Sequence, residues 1–161
     1  VYRASVPRRR LQARARSAPA VAAGTLAAHR LRWHEPGMDG SGKCDAHATG
    51  DATDLLWGVL FTFDAAERGP LDAAEGLGVH YGLAEVSVAT ASGPRAAWVY
   101  RALHAGPDAA PYRWYRELVL QGAREHGLPA AYVRTMIEAI AAVDDPDAPR
   151  AALHQRLLDA S

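Results

Sequence analysis

Residues 55–63 read LLWGVLFTF, a nearly unbroken apolar run with aromatic and β-branched side chains. Such a run is short for a helix and has no polar face to turn toward water, so it predicts a strand covered on both sides. Everything else must be arranged to enclose it. Residues 25–33, 81–90 and 95–103 also read as strands, the last two joined by the hairpin signal Ser92-Gly93-Pro94. Val1-Tyr2 reads as the end of another. Helices are predicted over residues 7–16, entered through Ser5 and Pro7, and over 112–126, with Tyr115, Val119 and Gly122 on one face and Gly127 as its stop. Two more are predicted over 130–143, with Val133, Met136, Ile137 and Ile140 as its buried stripe, and over 150–159. Residues 64–68 read as a short helix broken by Gly69, with a further turn over 70–75. Residues 35–54, rich in Gly, Asp, Ser and Thr, read as one long loop, and such loops in compact domains are more often functional than idle.

No repeat and no interdomain linker interrupts residues 1–161, which predicts a single domain of ordinary size. Basic and acidic side chains number 18 each, so net charge points to neither a nucleic-acid nor a membrane partner. No apolar run approaches the roughly 20 residues that cross a bilayer. Cys44 is the sole cysteine, so no internal disulfide can form, in keeping with a reducing cytoplasm. The arginines are uneven: Arg3, Arg8, Arg9, Arg10, Arg14 and Arg16 precede the first acidic residue, Glu35. An arm of this kind can be a transit peptide or a nucleic-acid contact. The ordinary alternative, solvated arginines on an exposed first helix, is preferred because proline followed by alanine, leucine and glutamine reads as common helix.

Three motifs carry less than they promise. Residues 37–44, GMDGSGKC, follow a phosphate-binding loop pattern except that Cys44 replaces the Ser or Thr that would hold magnesium. The polar stretch after it shows no amphipathic helix to face phosphates, so nucleotide binding is not expected. Cys44 and His47 form half of a zinc spacing, but the remaining histidines are scattered and a tetrahedral site needs three or four organised ligands. No metal and no cofactor are expected. No serine sits in a nucleophile elbow. Asp72 and Glu75, three residues apart, would share a helix face, and taken alone they read as solvated acids on a surface turn.

A wider pattern changes that weighting. Trp57-Gly58-Val59, then LDAAEG at 71–76, then Tyr81, then Tyr115 within WYRELVLQGAREHGLP at 114–129 occur in an order that resembles the γ-glutamylcyclotransferases. The GSGKCDA segment at 40–46 is similar to bacterial members. The resemblance runs from about residue 24 to about residue 143, and its most specific parts are LDAAEG and the segment ending in GLP. It implies an α+β fold, a small mixed β-barrel flanked by α-helices with a pocket at one mouth. It also implies a reaction: the α-amine of a γ-glutamyl amide attacks its own γ-carbonyl, releasing 5-oxoproline and a free amine.

In that chemistry Glu75 is the expected general acid/base, taking a proton from the α-ammonium and returning one to the leaving nitrogen. An ordinary glutamate, at about 4.3, is a weak base for this, and burial could lift it toward about 6–7. Tyr81 and Tyr115 match pocket tyrosines. The family's Tyr-Gly-Ser-Asn loop, counted back from Arg10-Leu11, falls on Tyr2-Arg3-Ala4-Ser5, where only the tyrosine is kept. The amides of Ala4, Ser5 and Val6 could still bind an anion, with Arg3 adding charge. Val1 is not an initiating residue and the family's apolar first strand is missing, so residues are expected to precede it. The expected partner is a small γ-glutamyl compound in the cytoplasm, with homodimerisation open. The alternative is a non-catalytic member of the same fold that binds a small anion or a protein because its substrate loop has diverged.

Overall fold

The computed structural model describes residues 1–3 and 19–159. Five strands close into a barrel in the order β1 (Tyr2–Arg3), β5 (Leu55–Phe61), β2 (Ala20–Ala27), β6 (Tyr81–Thr90) and β7 (Gly93–Ala102). The barrel is mixed: β1 runs parallel to β7, pairing Tyr2 with Val99, and every other pairing is antiparallel. β5 lies between β1 and β2, which is where its apolar sequence requires it to be. Leu56, Val59, Leu60 and Phe61 are all buried. The 81–102 hairpin pairs in full register from Tyr81–Ala102 to Thr90–Gly93.

The long loop predicted over 35–54 is instead largely a second hairpin. β3 (His29–Pro36) and β4 (Gly42–Ala48) pair antiparallel outside the barrel sheet, with an irregularity between Arg32 and Glu35. The chain leaves β2 through Ala28, a non-glycine residue at φ 58°. The single strand predicted over 25–33 is therefore two. The hairpin has a loop's composition because polar residues are buried in it beside Leu31, Trp33 and Ala46: His34, Glu35, Ser41 and Asp45 are all enclosed. Gly37 to Cys44 forms the hairpin's turn and the start of β4, and Lys43 pairs with Asp39 at 2.7 Å instead of facing a helix N-terminus.

Helices cover the outside. A 3-10 turn at Ala65–Glu67 leads into α1 (Arg68–Glu75), so Gly69 lies within a helix rather than ending one. Pro70 is tolerated because first-turn amides have no intrahelical acceptor. α2 (Arg113–Glu125) buries Leu118, Val119, Leu120 and Ala123. α3 (Ala130–Val133) continues as a π-helical turn, Arg134–Glu138, burying Val133 and Ile137. No helix among the described residues is long and apolar enough to cross a membrane. The helix predicted over 7–16 lies outside the described residues.

α4 (Ala148–Asp159) has no buried residue of its own; Ala151 and Leu158 pack on the cluster of Tyr112, Trp114 and Leu118, His154 stacks on Trp114, and polar contacts at its start add to these. Asp145 accepts from the Trp114 indole at 2.8 Å and from Arg150 Nε at 2.7 Å. These donors, Arg150 foremost, hold the Asp145 carboxyl well below the ordinary range. A depressed folded value stabilises the fold above the unfolded value, about 3.9, and the benefit is lost as pH falls from there toward the lower folded value. Asp145→Asn is therefore expected to lower Tm at neutral pH. The gap from wild type should narrow below about pH 4, where the wild type loses its advantage. A gap that stays constant down through acid would refute this assignment.

Candidate active site

Glu75 is the last residue of α1. Gly76 ends the helix in the left-handed conformation, φ 67°, and its amide reaches back to the carbonyls of Ala73 and Asp72. A side chain at position 76 would also strike His80, whose Cδ2 lies 2.8 Å from where its Cβ would be. Glycine here is thus required by both φ and space. The stop turns the chain directly toward Tyr81 at the start of β6.

Glu75 does not point into open water: its side chain is 7 % exposed and its Oε1 lies 2.9 Å from Arg3 Nη1. Arg3 comes from β1, which is fixed between β5 and β7. Beneath it Tyr2 is completely buried, and its hydroxyl donates to the Leu56 carbonyl at 2.6 Å. Burial opposes the charge on Arg3, yet the adjacent Glu75 carboxylate outweighs it and raises the guanidinium above its ordinary value.

The guanidinium also lies over the Tyr100 ring, 5.7 Å from its centroid. Tyr100 was not singled out from the sequence. Its hydroxyl donates to Asp72 at 2.5 Å, so Asp72 and Glu75 do share a helix face, but each meets a barrel residue instead of solvent. Tyr81 and Tyr115 converge on the β4 backbone at Cys44. The Tyr81 hydroxyl donates to the Cys44 carbonyl at 3.2 Å, and the Tyr115 hydroxyl accepts from the Cys44 amide at 3.2 Å. Arg3 is within electrostatic reach of both rings. The structure therefore brings Arg3, Glu75, Tyr81 and Tyr115 into one cluster and adds Tyr100, while Tyr2 supports it from the core. Ala4, Ser5 and Val6 lie outside the described residues.

Protonation separates these groups. Burial pushes the Tyr81 hydroxyl far above the usual phenol range, with Cys44, Glu35 and Glu75 adding to it and Arg3 opposing it. Burial and then Asp72 do the same to Tyr100. Burial likewise pushes the Cys44 thiol up to about 12. At neutral pH these three are donors that keep their protons. Cys44 is accordingly expected to resist alkylation by iodoacetamide at pH 8 until the protein is unfolded, since the thiolate is the reactive form. Rapid labelling of the folded chain would contradict the assigned environment.

The sequence matches the AIG2-like family over residues 55–136, just over half of the chain. No curated protein matches it. Solved structures match it in shape. A gamma-glutamyl cyclotransferase superposes with TM-score 0.87 at 21 % identity, over 99 % of this chain and 97 % of that one. An uncharacterized human protein gives 0.83 at 22 %, over 98 % and 96 %. YkqA of Bacillus subtilis gives 0.68 at 17 %, over 84 % of this chain and 49 % of its own. The architecture is thus the γ-glutamylcyclotransferase-like fold, a closed mixed barrel with helices outside it. The chain belongs to the AIG2-like family.

Proposed function

We propose that the protein is a γ-glutamylcyclotransferase with Glu75 as its general acid/base. The observation that carries this reading is the selection among the clustered groups. Tyr81, Tyr100 and Cys44 hold their protons, Arg3 is a fixed cation, and Asp72 is engaged by Tyr100. Of the carboxylates near these groups, Glu35 is bound to His80 and Asp72 to Tyr100, and Glu75 is the one set against Arg3, where the head of a substrate would bring the proton to be moved.

The Arg3–Glu75 pair matches the head of a γ-glutamyl substrate, which carries an α-carboxylate and an α-ammonium on one carbon. Binding exchanges one internal ion pair for two: carboxylate on Arg3, ammonium on Glu75. That exchange sets the ammonium directly against the Glu75 carboxylate, the group positioned to accept its proton. Glu75 takes the proton, and the free amine attacks the γ-carbonyl to close a five-membered ring. Both reactants belong to one molecule, so holding the chain bent can contribute on the order of 7–11 kcal/mol. Tyr81, kept protonated, supplies a donor for the developing oxyanion by turning its hydroxyl proton away from the Cys44 carbonyl. The γ-amide C–N bond then breaks. Glu75 returns its proton to the departing nitrogen, then takes the second proton from the ring nitrogen and passes it to the released amine, leaving 5-oxoproline and an ammonium product.

A blocked nucleophile tests the intramolecular step. A γ-glutamyl dipeptide should release its amino acid, and the same dipeptide acetylated on the α-amine should release none. Equal release from both would mean hydrolysis by water and end the cyclisation reading. One observation favours the second reading, a non-catalytic binder of small anions: the resting ion pair already neutralises Glu75. In that case an α-amino acid would bind without any γ-glutamyl compound being consumed.

A further inference from the structure

The β3–β4 hairpin carries a second cluster of chemically capable side chains, separate from Glu75 and without a role in the proposed reaction. His34 and Asp45 are both buried, and His34 Nε2 lies 2.8 Å from Asp45 Oδ2. His47, two residues beyond Asp45 on the same strand face, places Nδ1 4.0 Å from that same oxygen. One ligand atom from each of the three falls within 4.8 Å of the others. The two imidazoles meet edge to face with centroids 5.0 Å apart.

We infer that His34, Asp45 and His47 form a binding site for a divalent transition-metal ion, zinc foremost. Two imidazoles and one carboxylate are a recurrent donor set for such ions. Bonds of about 2.0–2.1 Å in a tetrahedron put neighbouring ligand atoms about 3.4 Å apart. The 2.8 and 4.0 Å separations on either side of Asp45 bracket that value, so small side-chain rotations close the site.

Three features of the fold show how the set is held. The pairing of β3 with β4 is irregular between Arg32 and Glu35, and His34 lies in that irregularity. Such bulges re-aim a side chain that regular pairing would place elsewhere. Asp45 Oδ1 accepts the Ala102 amide at 2.7 Å, leaving Oδ2 for the ion and fixing the carboxylate's orientation. The His47 side chain is 35 % exposed, against 1 % for His34 and 3 % for Asp45, so the ion has an entry side and room for a water ligand.

The surroundings are mixed in charge. Arg32 and Arg101 act on His47. Arg32 is itself bound by Asp108 at 2.9 and 3.0 Å, and Glu35 interacts electrostatically with Asp45. An ion here would bolt the hairpin to the end of β7 through Asp45 and Ala102. It would thereby steady the Cys44 backbone that Tyr81 and Tyr115 hold.

Calorimetric titration of the chelator-treated protein with Zn²⁺ is the direct test, paired with Co²⁺ as a visible-absorption probe. Wild type should bind one Zn²⁺ with a rise in Tm, and Co²⁺ should give d–d bands. His47→Ala, at the exposed edge, should weaken binding by no less than the about 10–100-fold that loss of an outer-shell partner costs. Asp45→Asn, which keeps an oxygen for the Ala102 amide, should weaken it similarly. Glu75→Gln should bind as wild type does, which separates this site from the proposed catalytic one. The inference is overturned if wild type takes up no stoichiometric zinc, or if His47→Ala and Asp45→Asn retain wild-type affinity.

Discussion

Glu75→Gln is expected to reduce turnover of a γ-glutamyl substrate by about 10²–10⁴-fold while leaving the fold intact, the range typical of losing a positioned acid/base. The change is nearly isosteric, and the amide oxygen can still accept from Arg3 across the 2.9 Å contact. What it removes is the ability to carry a proton. Tyr81, Tyr100 and Cys44 cannot stand in, because burial keeps each protonated at neutral pH. The expected signature is a fall in kcat with an unchanged far-ultraviolet circular dichroism spectrum. Wild type and variant turning over at the same rate would remove Glu75 from the chemistry.

Gly58→Ala should damage both the fold and the position of Arg3. A Cβ at Gly58 would lie 2.4 Å from the Arg3 carbonyl oxygen and 2.7 Å from the Tyr2 ring, with the Tyr2 hydroxyl at 2.8 Å. None of these can retreat cheaply. The first is backbone in β1, and Tyr2 is wholly buried with its hydroxyl bonded to Leu56. The strand must shift, and it carries Arg3 away from Glu75. The stability cost should lie toward the upper end of the about 1–3 kcal/mol seen for overpacked cores. Displacing a positioning group by about 1 Å can cost a further 10²-fold in rate. Urea denaturation and initial rates measure the two effects. A variant as stable and as active as wild type would show that β1 does not set the position of Arg3.

The parts of the fold written in apolar periodicity were legible in the sequence. β5 showed itself by an uninterrupted hydrophobic run, the β6–β7 hairpin by its Ser-Gly-Pro turn, and α2 by its spacing and Gly127. The β3–β4 hairpin was not legible because its few core residues, Leu31, Trp33 and Ala46, are interleaved with polar side chains that are themselves buried. Glu35, His34 and Asp45 are buried against one another and the barrel, so the segment had a loop's composition.

The site divides in the same way. Glu75, Tyr81 and Tyr115 came from motif order. Arg3 was read as a departure from a glycine position, and its pairing with Glu75, 72 residues away in the chain, depends on strand order in a closed barrel. Tyr100 sits in an ordinary strand sequence, and only the barrel's closure beside α1 gives its hydroxyl to Asp72. The half zinc spacing at Cys44 and His47, set aside in the sequence, falls on β4, the strand that carries two of the three residues of the proposed metal site. Asp45 and His47 share one face of β4, and the third side chain comes from β3.

Quantifying 5-oxoproline released by the purified wild-type protein from γ-glutamyl dipeptides and γ-glutamyl amines tests the central claim most directly. The account predicts 5-oxoproline and free amine in equal amounts, at a rate that disappears in Glu75→Gln. A folded wild-type protein that binds these compounds yet releases no 5-oxoproline would contradict it.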